Sequence, residues 1–394
     1  MHISDSIVYI GVNDHDLDLF EGQYKVDGIS YNSYVILDEK TAVFDTADQR
    51  MTGAWISNLA NALEGKTPEY LVISHMEPDH SASLGAFFQN FPATKAVGNA
   101  KTFQMADQFF PGLIPEEQRI VVKEGEELSL GSHTLVFCMA PMVHWPEVMV
   151  TYEKTEQVLF SADAFGRFEA LPEKNGKPDI LAEYKADWAS EARRYYLNIV
   201  GKYGTQTQGL LKKAAGLEIK RILPLHGPSL SGDLSHYLNC YQTWSSYTAE
   251  KQGVLIAYAG VYGHTAAAAK ALAKKLEDKG VEALVLDLAR TDSAEALAQA
   301  FVYDRLVAAA TTYDAWIYPA MEEFLLHLKG KAYQSRRVGI IENGTWAPMS
   351  GKLMKAYFEG MKNVEILEPM VTIKSAMNEE SEAALNALAE ALSQ

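Results

Sequence analysis

The sequence predicts an α/β protein in two parts: a layered sandwich of packed sheets over residues 1–249, then a doubly wound parallel sheet over residues 250–394. Three observations carry this. Up to about residue 250, short apolar runs follow one another closely with few helical stretches between them. Beyond Val254, strand and helix patterns alternate regularly. Residues able to ligate a metal recur where apolar runs stop, and strand ends on one side of an α/β sheet are where crevices form.

In the first part the expected strands are Ile7–Val12, Tyr34–Leu37, Ala42–Phe44, Glu69–Ser74, Lys95–Val97, Glu127–Leu130, His133–Cys138, Val148–Tyr152 and Val158–Ser161. Helices are expected over Arg50–Leu63, Ser83–Asn90 and Asp187–Val200. Hairpin-rich strands with helices outside suit stacked sheets. Polar residues at Thr248–Gly253 mark the junction. The second part should contain strands Val254–Tyr258, Ala283–Leu288, Arg305–Ala310, Val338–Glu342 and Val364–Leu367. Its helices should run over Thr265–Lys279, Ser293–Phe301, Pro319–Gly330, Ser350–Gly360 and Glu379–Leu392. Right-handed crossovers in a domain of this size lead to an expected strand order of 2-1-3-4-5.

The chemistry is concentrated in His75-Met76-Glu77-Pro78-Asp79-His80, directly after the apolar run Tyr70–Ser74. His144 follows Leu135–Val143, Asp163 follows Val158–Ala162, and His226 follows Arg221–Leu225. The candidate metal ligands are therefore His75, Glu77, Asp79, His80, His144, Asp163 and His226. Seven side chains exceed the needs of one tetrahedral zinc but suit two ions sharing a carboxylate. Imidazole and carboxylate together suit iron or manganese at least as well as zinc, and the lack of thiolates argues against an iron–sulfur cluster. The plainer alternatives are a dinuclear zinc hydrolase or a relict site without metal.

Three loops after strands of the second part suggest a phosphate-bearing cofactor. The first carries Tyr262, Gly263, His264 and Thr265 at a helix start, where backbone N–H groups bind phosphate without a basic side chain. The second carries Thr311, Thr312 and Tyr313; the third carries Asn343, Gly344, Thr345 and Trp346, whose indole can stack on a flat ring. Gly-Lys-Ser/Thr and G-x-G-x-x-G are both missing, which disfavours a nucleoside triphosphatase and a dinucleotide. A mononucleotide flavin is favoured over an empty receiver-like domain. Glu342 reads either as a charge lowering a flavin's potential or as a helix cap.

The run His75-x-Glu77-x-Asp79-His80, with His144 in His-Trp-Pro-Glu, Asp163 in Ser-Ala-Asp-Ala-Phe-Gly and His226 in Leu-His-Gly-Pro, resembles the flavodiiron (A-type flavoprotein) family. The likeness extends to Gly28–Tyr34 and Phe44-Asp45-Thr46 and runs over essentially the whole chain. It implies a metallo-β-lactamase-like αββα sandwich with two irons per chain, followed by a flavodoxin-like domain with FMN. Hydrolases of the same superfamily usually carry His where Glu77 stands, an exchange in the direction expected for iron. The second loop departs from the family's common Ser-Pro-Thr with Ala310-Thr311-Thr312, and the third from Ser-Tyr-Gly with Glu342-Asn343-Gly344. Carried over position by position, one iron takes His75, Glu77 and His144, the other Asp79, His80 and His226, and Asp163 bridges. The implied activity is reduction of dioxygen to water, of nitric oxide to nitrous oxide, or of both.

Composition fits. Hydrophobic content of 48% with 22% charged residues is ordinary for a globular protein. A net charge of −16 disfavours nucleic acid and anionic membrane as partners. Cys138 and Cys240 are too few for a disulfide framework, and no secretory signal or transmembrane run is read, so the cytoplasm is expected. With no rubredoxin-like four-cysteine segment and no nicotinamide fingerprint, an external donor is expected: rubredoxin by family analogy, a reduced deazaflavin otherwise. An acidic donor needs a local basic patch, for which Arg336 and Arg337 are candidates. A head-to-tail homodimer, or a dimer of such dimers, is expected to bring flavin and metals together. Trp145 reads as a core residue, with a shield over the metals as the alternative. Tyr195 and Tyr196 read as helix packing, with a hydrogen-bond donor from one of them in the diatomic pocket as the alternative; His2, His15, His133, His236 and His327 are left outside the site. Competing with the diiron oxidoreductase are a metal hydrolase with a regulatory flavodoxin domain and a pure electron carrier on a scaffold.

Overall fold

Six strands hydrogen-bond in sequence order into the first sheet: β1 (Ile7–Tyr9), β2 (Tyr34–Ile36), β3 (Ala42–Phe44), β4 (Tyr70–Val72), β5 (Lys95–Gly98) and β6 (Arg119–Val121). β1 to β3 are antiparallel and β3 to β6 parallel. These observations come from a computed structural model that describes residues 1–183 and 188–394. The second sheet runs β7 (Glu127–Ser129), β8 (Thr134–Met139), β9 (Met149–Glu153), β10 (Val158–Phe160), β11 (Arg221–Leu223) and β12 (Leu230–Ser231), with only the β10–β11 pair parallel.

Every residue of β1 to β4 is buried, because one face meets the other sheet and the other face meets helices. Phe44 of β3 stacks on Phe160 of β10 with ring centroids 3.9 Å apart, joining the two sheets at the centre of a core that includes Tyr34, Phe137 and Met149. The helices of this unit are α1 (Thr52–Leu63), α2 (Pro78–Ser81), α3 (Leu84–Asn90), α4 (Ala100–Phe109), α5 (Trp188–Ile199), α6 (Gly204–Ala214) and α7 (Ser235–Ser245). α1 turns Trp55, Leu59 and Leu63 inward, the four-residue spacing of a single buried stripe.

The chain divides into two units, Met1–Gln242 and Thr243–Gln394, so the division falls within α7, ahead of the expected 249/250 junction. The second unit alternates β13 (Lys251–Ala259), α8 (His264–Glu277), β14 (Ala283–Asp287), α9 (Ser293–Val302), β15 (Tyr303–Tyr313), α10 (Pro319–Gly330), β16 (Arg337–Asn343), α11 (Ser350–Glu359), β17 (Glu365–Ile366), β18 (Val371–Ile373) and α12 (Glu379–Ser393). Its strands lie in the order β14-β13-β15-β16-β17, all parallel, which is the expected 2-1-3-4-5. α8 and α12 cover one face, where Leu272, Leu276, Leu385 and Leu388 meet Val254, Val307 and Ile341.

Departures from the expected elements have local causes. Ile7–Val12 splits, because a Cβ on Gly11 would sit 2.5 Å from the Tyr31 carbonyl; Val12–Asp14 leaves to pair with Ile29–Tyr31. The fifth strand is held in two pieces, β17 and β18, with Pro369, which has no N–H to donate, between them. The second cofactor loop is a hairpin, Thr312–Tyr313 pairing with Trp316–Ile317. Asp187, the expected first residue of α5, lies outside the described residues. Arg336 is not available to a docking patch. It is 3% exposed, and its guanidinium donates to the carbonyls of Tyr303, Tyr247 and Phe301. Arg337 pairs with Glu365.

One polar staple ties the edges of the two sheets together. Asp38, in the β2–β3 turn, accepts from the N–H and Nδ1 of His133 (both 2.7 Å) and from the Ser132 hydroxyl in the β7–β8 turn. Burial opposes its charge, but the His133 and backbone hydrogen bonds outweigh that and hold its carboxyl below the usual carboxylate range. We expect Asp38→Asn to lower stability at pH 7 by about 1.5–3 kcal/mol in urea unfolding, the worth of hydrogen bonds to a charged group. A depressed folded-state pKa stabilises above the unfolded value and loses that contribution as pH falls below it. The gap between wild type and variant should therefore narrow below about pH 4. A gap constant from pH 7 to pH 3 would exclude the ionised carboxylate as its cause.

Candidate metal centre and cofactor cavity

His75, Asp163 and His226 each stand three residues past a strand end, the strands β4, β10 and β11 finishing at 72, 160 and 223. Glu77 is the residue before α2, and Asp79 and His80 lie within it; Pro78 opens this single turn with the backbone angle it needs. His144 differs from expectation: β8 ends at Met139, so the ligand sits in the middle of the β8–β9 loop rather than at a strand end.

The structure brings all seven side chains together in two groups. His75, Glu77, His144 and Asp163 offer atoms within 4.8 Å of one another, as do Asp79, His80 and His226. Asp163 faces both. Its Oδ2 is 3.3 Å from His75 Nε2 and from His144 Nε2, while its Oδ1 is 3.1 Å from His80 Nε2 and 3.8 Å from His226 Nε2. Glu77 Oε2 is 2.9 Å from His144 Nε2 and 3.1 Å from His75 Nε2, and Asp79 Oδ2 is 3.2 Å from His226 Nε2.

The donor set fits two cations. Both oxygens of Asp79 and Asp163, and Nε2 of His80 and His226, are buried without a hydrogen-bond partner among the described residues. Lone pairs left so in a dry interior cost several kcal/mol unless something positive sits between them (order of magnitude about 1–3 each). Without cations the histidines take that part. Burial opposes charging His144, yet the facing Asp163 carboxylate and the Glu77 carboxylate that accepts from it raise it to about 9. His75 is likewise desolvated, but the facing Asp163 carboxylate lifts it well above the usual range. Asp163, despite burial, is held well below the carboxylate range by His80 and His75.

Several neighbours were given no role by the sequence. Glu147, fully buried, meets His75 Nδ1 at 2.7 Å. The Ser30 carbonyl meets His226 Nδ1 at 2.7 Å. Asp45 accepts from the N–H groups of Ser74 and His75 and so fixes the loop that carries the first ligand. Glu21, at the exposed tip of the Leu19–Lys25 hairpin, is pushed up to about 7 by desolvation on the side turned to the ligands and by the facing Glu77 carboxylate. Glu147 stands in His-Trp-Pro-Glu, Asp45 in Phe44-Asp45-Thr46 and Ser30 in Gly28–Tyr34, segments that carry the family resemblance but gave these residues no role; Glu21 had no such signal. Tyr195 borders the pocket: its ring is 5.6 Å from that of His226, and its buried hydroxyl has no hydrogen-bond partner. Trp145 lies edge-to-face on His75 at 5.2 Å. His133 belongs to the staple described above, and His15 pairs with Glu173 at the surface.

In the second unit a cavity of about 710 Å³ opens beside α8. Of the residues expected to hold a cofactor, all but Gly263 line it; Gly263 instead precedes α8 with φ 87°, a conformation that favours glycine. Among the described residues no Lys or Arg lines it, so a phosphate there would rest on backbone N–H groups and the helix dipole. Tyr262 and Trp346, 91% and 90% exposed, flank the opening with both ring faces free for a planar group. Glu342 resolves toward its capping role: it accepts from the Gly351 N–H in the first turn of α11 and from Thr372, and it does not line the cavity.

Comparison with known proteins agrees with this layout. A family model described as ODP family beta lactamase matches residues 29–227. The anaerobic nitric oxide reductase flavorubredoxin of Pectobacterium atrosepticum is 27% identical over 372 residues, covering 91% of this chain and 72% of that protein. The rubredoxin oxygen:oxidoreductase of the anaerobe Desulfovibrio gigas superposes with a TM-score of 0.91 at 26% identity, covering 100% of this chain and 97% of the other. The flavodiiron protein of Giardia intestinalis gives 0.89 at 25% identity, with 99% and 97% covered. The β-lactamase-like sandwich, the flavodoxin-like second unit and these likenesses over nearly the full length together make this chain a member of the flavodiiron protein family.

Proposed function

We propose that the protein reduces dioxygen, nitric oxide or both at two iron ions, with FMN in the second unit passing electrons from an external donor. The chain is an oxidoreductase of the flavodiiron family. The observation that best supports the finer reading is Asp163, whose two oxygens face separate groups of ligand atoms, the disposition of a carboxylate shared by two ions. His75, Glu77 and His144 would hold one ion and Asp79, His80 and His226 the other.

When bound, two ferrous ions and reduced FMN would supply the four electrons that turn dioxygen and four protons into two waters, or the two that turn two nitric oxides and two protons into nitrous oxide and water. The chain's own residues prepare the site for this. Three carboxylates, Glu77, Asp79 and Asp163, offset all but one of the four positive charges of two divalent ions, which leaves the site able to bind an electron-rich ligand. Phe20, edge-on to His226 at 5.4 Å, and Trp145 beside His75 limit water at the ligands. Tyr195 keeps its proton, since burial and the nearby Asp163 carboxylate push it well above the usual phenol range; it is a buried hydrogen-bond donor with no partner among the described residues, beside the ligand His226. FMN would lie in the cavity of the second unit, phosphate toward the start of α8 and ring between the exposed aromatics.

Protein made with ample iron should carry about two irons and one FMN per chain. With reduced rubredoxin as donor it should consume dioxygen or nitric oxide, while NADH alone leaves its flavin oxidised. Consumption of neither gas, or zinc in place of iron with hydrolytic turnover, would overturn the reading. Asp163→Asn should deplete both ions; full iron and full activity in that variant would remove its bridging role. Tyr195→Phe should keep its iron and slow turnover by on the order of 100-fold. Unchanged turnover would make Tyr195 a packing residue only.

The same reading extends to assembly. Tyr262, Trp346, Trp316 and Tyr313 are exposed around or beside the cavity of the second unit, an aromatic surface that a second copy in head-to-tail arrangement would cover. Co-refolded heterodimers of Asp163→Asn with a variant unable to bind FMN should regain activity at one composite site. Verified heterodimers without activity, or an active monomer, would mean that relay occurs within one chain.

A further inference from the structure

The two groups of ligand atoms differ in what stands behind them. His75 and Glu147 are both 0% exposed, with Nδ1 and Oε1 2.7 Å apart, while His75 Nε2 faces Glu77 and Asp163. The same Glu147 oxygen accepts the Met76 N–H at 2.9 Å. Its backbone is held too: the Glu147 carbonyl accepts from Asn99 Nδ2 at 2.6 Å, and Asn99 Oδ1 in turn caps α4 through the N–H groups of Lys101 and Thr102. The second carboxylate oxygen of Glu147 has no hydrogen-bond partner, so its charge is directed at His75 and not dispersed into a network.

Among the described residues no carboxylate is hydrogen-bonded behind the other group. His226 Nδ1 meets the neutral carbonyl of Ser30, and His80 Nδ1 is buried without a hydrogen-bond partner, the buried Asp45 carboxylate acting on it by charge alone. An imidazole whose rear N–H is given to a buried carboxylate is fixed in tautomer and rotation and becomes a stronger donor at its other nitrogen. An imidazole backed by a carbonyl gains less, and one with no hydrogen bond at its rear nitrogen has neither its tautomer nor its rotation fixed in this way.

We propose that Glu147 is a positioning residue that makes the two metal positions unequal, so that the His75–Glu77–His144 position fills first and holds its ion more tightly than the Asp79–His80–His226 position. This rests on the two-ion reading of the site and adds an order of loading to it. Asp163, shared by both, cannot be the source of the difference; Glu147 touches one side alone.

The test is anaerobic titration of metal-free full-length protein with ferrous ion, followed by calorimetry. Wild type should bind in two unequal steps of one ion each. Glu147→Gln, which keeps the shape and the contact with Met76 N–H but removes the charge, should weaken the tight step by about 10–100-fold and leave the weak step unchanged. The unchanged weak step reports that the pocket is still folded. Two equal steps in wild type, an unaltered tight step in the variant, or equal weakening of both steps would overturn the proposal. Should Glu147→Gln bind no iron, Glu147→Asp decides: return of an unequal tight step supports a role for the charge, and its absence overturns it. Wild-type protein that binds no ferrous ion would instead remove the two-ion reading itself.

Discussion

The first unit is organised around one cost, the burial of Asp163. A carboxylate 1% exposed, with neither oxygen hydrogen-bonded, is among the least stable things a protein interior can contain unless positive charge faces it from both sides. Four imidazoles do so, two per oxygen, and their protonation or their metals offset the charge. The rest of the unit serves that arrangement. Asp163 and His226 descend from neighbouring parallel strands, β10 and β11, and His75 descends from β4 in the opposing sheet. The Phe44–Phe160 stack between the sheets therefore fixes the distance across which the ligands meet.

The second unit meets a different demand by opposite means. A flavin mononucleotide would bring its own charge and its own flat surface, so the cavity needs no buried ion pair. It is lined by threonines, an asparagine, backbone and aromatic rings, with a helix N-terminus as its only concentrated positive charge. That difference explains why substitution of a single residue should matter less in the cavity than at Asp163. Backbone donors cannot be mutated away, whereas a shared carboxylate has no substitute. It also explains why the sequence departures at Ala310-Thr311-Thr312 and Glu342-Asn343-Gly344 leave the loop positions intact: Asn343 and Thr312 remain on the lining while Glu342 turns to cap α11.

Much of this was legible in the sequence because the signals were local. Strand order in the second unit followed from strand–helix alternation together with right-handed crossovers and domain size, and His75, Asp163 and His226 followed from apolar runs that stop before a ligand-type residue. What stayed hidden depended on contacts distant in sequence. Asp45 reaches Ser74 and His75, Ser30 reaches His226 across nearly two hundred residues, and Asp38 clasps His133; none of these pairs has a spacing that a one-dimensional pattern can reveal. α4 and α6 were missed because each buries only a few small or single aromatic residues, too little for a visible stripe. Arg336 misled for the converse reason. Charge in a sequence reads as surface, yet this guanidinium is spent on backbone carbonyls around the linker side of its own unit.

His144 shows how a loop can hold a ligand as firmly as a strand end. It stands in the middle of the β8–β9 connection, where backbone alone would leave it mobile. The residues beside it remove that freedom. Trp145 packs on His75 and stacks with Phe109 at the end of α4, Glu147 binds His75, and Asn99 binds the Glu147 carbonyl while capping the same helix. One tetrapeptide thus supplies a ligand, a shield and the support for a second ligand, and it anchors all three to one helix. Two of the three imidazole or carboxylate arms unique to the first metal position are consequently fixed by this loop, while those of the second rest on strands, on α2 and on a carbonyl. The asymmetry of the centre is therefore built into where its ligands sit in the fold, before any metal binds.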